Sequence, residues 1–467
     1  MARYIEVFDT TLLDANKLPC IVLSPDDRVV LAQQLAKLGV DVIEAGFPAA
    51  SQEESDCVGS VCDAVEGPYV AALDRALPGD VEKALKVIAR TSKPYMHIFM
   101  GVSPQFLKQV LKISEEQAIR DIATCVRLAK ASGVRTQFSL SEAPHAPHEF
   151  LLEAFEAARD AGGDVINMAD TNGILTPEET TAMFSELAPL LGHESKTVIG
   201  VHCHNDLGLA TANTLAAVAA GASHVEVTIG GFGERAGNTA LEEVAFLMTV
   251  LSRRYGITHG IKLDELSRTA RLFDSLTGVR THPNKPIIGQ YAFTPAPGGF
   301  SGRSLAPELR KLMRESTIGR PPGDSARLPP IRERKGPYEL ESFNVMTASH
   351  SPPVGLVVIR REGKALTQTS HGNGPIDALF RAVDKALGFA TRMVQYSVSA
   401  IGSGTDALTE VIVTAELRGR RFHGRHRSTD VIEASLRAYL NACNAIGESG
   451  ILEGPSDFHV AGEYLWE

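Results

Sequence analysis

Eight short apolar runs separated by segments of helical periodicity fill roughly the first 250 residues, and this alternation constrains the chain more than any other feature. The strand-type runs are Tyr4–Phe8, Val42–Glu44, Tyr69–Ala72, Tyr95–Met100, Arg135–Ser139, Val165–Met168, Val198–His202 and Val225–Thr228. Between them lie helical patterns, among them 25–38, 82–88, 114–132, 148–161, 177–190, 205–220 and 239–253. Ser24-Pro25 and Thr176-Pro177 each set a cap residue before a first-turn proline, and Glu115 and Glu116 place acids in a first turn. Strand and helix in strict turn predict an α/β protein built on a (β/α)8 TIM barrel. An open doubly wound sheet is the runner-up, but no Gly-rich dinucleotide fingerprint follows the first run.

In such a barrel the C-terminal strand ends form the active face. They carry Asp9 and Asp14, Glu44, Arg75, His97 (inside strand four), Ser139 to Glu142, Asp170 and Thr171, His202 and His204, then Glu234, Arg235 and Asn238. A single carboxylate there is ordinarily a cap or turn residue; polar groups at successive strand ends exceed what capping needs. The sharpest element is VIGVHCHND, 198–206, where His202 and His204 stand i, i+2 and so share one face of the strand. Two such imidazoles suit adjacent positions on one divalent metal. Spacing alone equally allows one packed and one exposed histidine. Cys203, between them, faces the other side and is not a ligand candidate.

Beyond the alternation, residues 281–336 are rich in Pro, Gly and Arg and lose periodicity, which reads as a linker, either a tether or a lid. From about Tyr338 the pattern is strand, strand, strand, helix, repeated once. This predicts a duplicated α+β unit of regulatory or dimerising type. The divisions expected are 1–275 for the barrel, 276–337 for the linker or lid, and 338–467 for the C-terminal domain. His371–Pro375 and Arg427–Asp430 open the two helices of the duplication with small residues, a setting suited to an anion. A formal net charge of −10 argues against nucleic acid as partner, and no apolar run reaches the roughly 18 residues of a membrane helix. The first residues lack a signal-peptide pattern, and six scattered cysteines (20, 57, 62, 125, 203, 443) read as reduced thiols, so a cytoplasmic setting is expected.

Five blocks carry a resemblance to a known family: FDTTL with Asp14 (8–14), VIEAGFPAAS (42–51), DTNGILTPEE (170–179), HCHNDLGLATANTLAAVAAGA (202–222) and GFGERAGNTALEEV (231–244). Together they resemble 2-isopropylmalate synthases, the acetyl-CoA-dependent Claisen-condensing enzymes that include homocitrate and citramalate synthases and share their barrel with 3-hydroxy-3-methylglutaryl-CoA lyase. The resemblance spans nearly the whole chain. It implies condensation of acetyl-CoA, or another acyl-CoA, with a 2-oxo acid such as 2-oxoisovalerate, as in leucine biosynthesis. It also implies a homodimer and a leucine-like effector at the C-terminal domain. Matching positions imply Asp14, His202, His204 and Asn238 as ligands of Mn²⁺, Mg²⁺ or Zn²⁺. Such an N/O donor set leaves room for a chelating 2-oxo acid. By the same match, Glu44 and Asp170 support the site, Thr171 and Ser139 approach the substrate, and Arg75, His97 and Ser103 line the pocket.

The departures are equally specific. Leu13 stands where the family's charge-stabilising arginine is expected, and loss of such a donor costs on the order of 10²–10³ in rate. Ala15, Asn16 and Lys17 replace Gly, Glu and Gln; Ser141 replaces a catalytic glutamate, with Glu142 one place along; Pro295 and Phe300 replace two histidines. Three readings follow. In the first, a working synthase, Lys17, Glu142 or a neighbouring His145 or His148 takes over the lost roles, with Glu44 and His97 as further catalytic residues. The second is a repurposed homologue catalysing another metal-dependent C–C step on a 2-oxo or 2-hydroxy acid. The third is a non-catalytic paralogue that senses a ligand.

Overall fold

The computed structural model describes residues 2–18, 21, 23–191, 196–293, 312–320, 336–401, 408–449 and 451–453. It divides into two compact units, Met1–Leu328 and Pro329–Glu467. In the first, eight parallel strands close in sequence order: β1 Glu6–Asp9, β2 Val42–Gly46, β3 Tyr69–Arg75, β4 Pro94–Gly101, β5 Arg135–Ser141, β6 Val165–Asp170, β7 Val198–Cys203 and β8 His224–Val227. Pairing of β1 with β8, Glu6 opposite His224, completes the ring and excludes the open sheet. Each expected strand lies within a residue or a few of its observed position.

Helices start where the sequence supplies partners for their orphaned amides. Ser24 and Asp27 form a reciprocal capping box on helix Pro25–Leu38, and Thr176 and Glu179 do the same on Pro177–Leu187. One expectation fails at its start. The helix placed at 205–220 begins only at Ala210, because Asn205 Oδ1 accepts the Ala210 amide (3.1 Å) and Asn205 N donates to the Gly237 carbonyl (2.8 Å). The Asn205 side chain thus holds a turn at the barrel mouth in place of a first helical turn.

Strand alternation sorts the core into two layers. Outward residues such as Ile43, Val70, Ile98, Phe138 and Ile166 pack in the main apolar core. Inward residues are largely polar: Glu6, His97, Gln137, Ser139, Asn167, His202, His224 and Glu226. At the floor, Arg135 forms a fork to Glu6 (2.5 and 2.9 Å) and lies over the Tyr69 and Tyr95 rings, while His224 Nδ1 meets Glu6 at 2.7 Å. A buried charge is tolerable only when so fully paired.

The second unit repeats one motif. Antiparallel strands β9 Tyr338–Ala348, β10 Ser351–Arg361 and β11 Lys364–His371 precede helix Pro375–Leu387; β12 Arg392–Ile401, β13 Leu408–Leu417 and β14 Arg420–Ser428 precede helix Val431–Glu448. Its core includes Val357, Leu379, Val411, Leu436 and Tyr439. The duplication read from the sequence is therefore present. At the second helix start Asp430 Oδ1 accepts the Ile432 and Glu433 amides, so a carboxylate of the chain itself sits where an anion was expected; the first start, at Gly374, has no side-chain cap, and Asp377 accepts the Asn373 amide just before it. Much of the expected linker, with Pro295 and Phe300, lies outside the described residues.

Candidate active site

The barrel mouth gathers four of the expected side chains from three strand ends. The short helix Thr11–Asp14 after β1 carries Asp14; His202 is the last residue but one of β7, with His204 just beyond the strand; Asn238 follows β8 and bridges to His204 through the backbone. The His202 and His204 rings are 5.0 Å apart, as two residues on one face of a strand should be. Asp14 is buried and uses both oxygens: Oδ2 accepts from Asn238 Nδ2 (2.6 Å) and Thr10 Oγ1 (2.8 Å), and Oδ1 pairs with Lys17 Nζ (2.8 Å). Burial would raise its pKa, but Lys17, His202 and the hydrogen bonds together hold it below the usual carboxylate range. Burial and neighbouring His202 push His204 down to about 3, so its ring is neutral.

Two buried atoms here have no hydrogen-bond partner, His204 Nδ1 and Asn238 Oδ1. Unmet polar atoms of this kind at a barrel mouth are costly and point to a ligand. No three His, Cys, Asp or Glu side chains among the described residues converge as a metal would require. The donor chemistry nevertheless fits a divalent ion: one carboxylate, two imidazoles and an amide oxygen.

Beneath the mouth runs a buried polar network. His202 Nδ1 meets Glu226 Oε2 at 2.7 Å, and Gln137 Nε2 donates to Glu226 Oε1 at 2.5 Å. Gln137 also approaches His97 Nε2 (3.1 Å), which contacts Ser139 Oγ at 2.6 Å, and His97 Nδ1 meets Glu44 Oε1 at 2.5 Å. Burial raises the Glu44 carboxyl, with Glu226 and Asp14 adding to it against His97; burial lowers His97, but Glu44 outweighs it and raises it. Glu226, Gln137 and Asn167 escaped the sequence reading. The signal was present in the alternation of His224 and Glu226 within HVEV, two polar residues on one face of an otherwise apolar strand.

The remaining expected residues scatter. Asp170 is buried, but its carboxylate accepts the Ile174 and Leu175 amides (3.1 and 3.0 Å) and so shapes the turn after β6. Thr171 Oγ1 accepts the Glu142 amide at 2.9 Å. Glu142, in the left-handed region at φ 57°, turns its carboxylate to the Ser103 hydroxyl. It faces a cleft of about 600 Å³ lined by Ser103, Gln105, Phe106, His145 and Asn172. Arg75 is not brought to the cluster: it pairs with Asp80 (2.6 Å) and lies over Phe47. His148 pairs with Glu186 at 3.0 Å on the helical surface, away from these groups. Leu13 and Ser141 stand where the family's charged groups were expected, and among the described residues the cation seated on Asp14 is Lys17.

Comparison with known proteins now gives this arrangement a lineage. Residues 4–273 match the family model described as HMGL-like, and 308–447 match the LeuA allosteric (dimerisation) domain. The 2-isopropylmalate synthase of Pyrococcus furiosus is 36% identical, over 96% of this chain and 100% of that protein. That of Heliobacterium modesticaldum is 35% identical, over 97% and 98%. The chain belongs to the 2-isopropylmalate synthase family. An HMG-CoA lyase from Bacillus subtilis shares the barrel fold, with a TM-score of 0.52 at 20% identity over 60% of this chain and 97% of that one. Among the described residues, no helix is long and apolar enough to cross a membrane.

Proposed function

We propose that this member of the 2-isopropylmalate synthase family is an acyltransferase that condenses acetyl-CoA with a 2-oxo acid such as 2-oxoisovalerate. The observation that supports the proposal is the pair of buried atoms without partners at the barrel mouth, His204 Nδ1 and Asn238 Oδ1, beside the Asp14–Asn238 bond and the neighbouring His202 ring. These four residues would hold a divalent metal (Mn²⁺, Mg²⁺ or Zn²⁺). When bound, that ion supplies Lewis-acid polarisation of the ketone and fixes the 2-oxo acid in place.

The chain's own groups supply the rest. Thr171, at the end of β6, is assigned to the substrate carboxylate, with the Ser139 hydroxyl deeper in the pocket. Lys17, whose ammonium lies within reach of both Asp14 and Glu234 at the barrel mouth, is assigned to counter the negative charge that develops there, a point charge without an arginine's fork. Glu142 is assigned as the base towards the acyl donor, because its carboxylate faces the open cleft beside Ser103. Glu44 and His97 hold a proton in the wall below. Condensation joins the acetyl α-carbon to the ketone carbon, and hydrolysis of the thioester then releases free CoA.

We also assign 276–337 as the linker between the barrel, 1–275, and a C-terminal domain, 338–467, that dimerises and takes a leucine-like effector; the match to the LeuA allosteric (dimerisation) domain, which begins at 308, supports the role of that domain and not these bounds. Among the described residues, five buried, unpaired cysteines support a reducing, cytoplasmic setting. The test is free-thiol release from acetyl-CoA across a panel of 2-oxo acids with metal-replete protein. Release that depends on one of the acids is expected. No release with any of them overturns the assignment.

A further inference from the structure

The side chain that stands between Asp14 and a metal is a lysine, and it has a second carboxylate within reach. Asp14 Oδ2 is held by Thr10 and Asn238, both buried, and Asn238 is fixed in turn by its backbone bond to Gly231 (2.9 Å). Lys17, by contrast, has its side chain 38% exposed on a flexible four-carbon stem. Of the groups on Asp14 it is therefore the one that can leave. Its ammonium lies 3.7 Å from Glu234 Oε1 at the rim, where Glu234 is 44% exposed. The neighbouring Arg235 anchors that rim. It donates to both Asp206 oxygens (2.7 and 2.8 Å) and to the Thr171 carbonyl (2.6 Å), tying the loops after β6, β7 and β8 together.

We infer that Lys17 is a built-in competitor of the divalent metal for Asp14, and that Glu234 receives the Lys17 ammonium when the metal binds. The inference rests on the assignment of a metal to Asp14, His202 and His204. Two cations cannot both lie against one buried carboxylate oxygen without strong repulsion, so metal entry requires Lys17 to move. A carboxylate already 3.7 Å away lets it move without losing its counter-ion. Metal affinity is then set jointly by the strength of the Lys17–Asp14 pair and by the availability of Glu234.

The test is calorimetric titration of Mn²⁺ into the chelator-treated full-length chain, comparing the parent with K17Q, K17M, E234Q and K17Q/E234Q. K17Q and K17M are each expected to tighten Mn²⁺ binding by about tenfold, the scale of one partly buried ion pair. A gain in K17Q alone would mean that the new amide is a ligand, and overturns the inference. E234Q is expected to weaken binding severalfold in the parent and to have no effect once Lys17 is gone. Equal weakening in both backgrounds would show that Glu234 acts only as a nearby charge, and overturns its role as acceptor. Unchanged affinity in both Lys17 variants, with metal still bound, overturns the competitor and leaves the metal assignment standing. No Mn²⁺ binding by any of the proteins overturns that assignment and this inference with it.

Discussion

Glu226 offers the most exacting test of how the barrel wall prepares the mouth. With the hydrogen on His202 Nδ1, its Oε2 accepts at 2.7 Å, and Nε2 is the ring nitrogen that would face a metal. Its Oε1 accepts from Gln137 Nε2 at 2.5 Å, while the Tyr95 hydroxyl donates to Gln137 Oε1 at 2.9 Å and thereby fixes which way that amide points. Glu226→Gln leaves one oxygen where two are needed. If that oxygen faces His202, the new NH₂ opposes the Gln137 NH₂, donor against donor. If it faces Gln137, the new NH₂ drives His202 to the tautomer with its proton on Nε2, which cannot bind a metal. Either arrangement forfeits a charge-assisted bond worth about 1.5–3 kcal/mol. Carried to the metal, this is roughly a 10–100-fold weaker Kd, the usual reach of a partner that orients a ligand.

The assay is Mn²⁺ titration of full-length E226Q, with the melting temperature followed alongside. The exchange Q137E/E226Q separates hydrogen bonding from charge. The amide now at position 226 can accept from His202 and donate to the carboxylate now at position 137, while Tyr95 still donates to that carboxylate. Melting temperature is expected to return most of the way, and metal affinity only in part, because the negative charge now stands one residue further from His202. An E226Q protein that binds Mn²⁺ within about twofold of the parent would refute the reasoning, since it would show that neither the tautomer nor the charge of this pair reaches the metal.

Three further outcomes are expected. Leu13→Arg restores a guanidinium beside Asp14 and is expected to raise acetyl-CoA-dependent thiol release, by up to about 10²–10³-fold; unchanged turnover would show that the arginine is not what this mouth lacks. Gly237→Ala drives a Cβ into the Gly231 carbonyl oxygen at a backbone φ of +98°, so it should displace Asn238 and abolish stoichiometric metal binding; retention of the bound metal would count against a fixed Asn238. Asp384 in the second unit is buried, and burial pushes its pKa up to about 7 against the hydrogen bond from Tyr439. Its folded-state pKa lies above the unfolded value, so the penalty is absent at acid pH, grows between about pH 4 and 7, and is complete above that, at up to about 4 kcal/mol. Asp384→Asn, which keeps an acceptor for Tyr439, should therefore raise the urea midpoint of this unit at pH 8 and not at pH 4.5; the reverse pH trend would sink the argument.

What could be read from the sequence and what could not divide along a physical line. Closure of the barrel was legible because strand and helix periods alternate eight times, and the cap residues Ser24 and Thr176 state where helices start. The His202/His204 pair was legible because a period of two fixes the shared face whatever surrounds it. The uses of polar side chains were not, because a carboxylate's role depends on which amides or hydroxyls reach it in three dimensions. Asp170 looked like a support of the metal and substrate groups, yet its oxygens are taken by the Ile174 and Leu175 amides. Glu226 looked like nothing in particular, yet it governs His202. Arg75 sits at a strand end and still turns to Asp80. Lys17 joins the two sides of this line. Its position three residues after Asp14 marks it in the sequence as a stand-in cation, whereas only the structure shows it seated on the Asp14 carboxylate. If it both opposes the metal and counters charge at the mouth, removing it should tighten Mn²⁺ while slowing condensation. An electrostatic role confined to either function would not produce that opposition of signs.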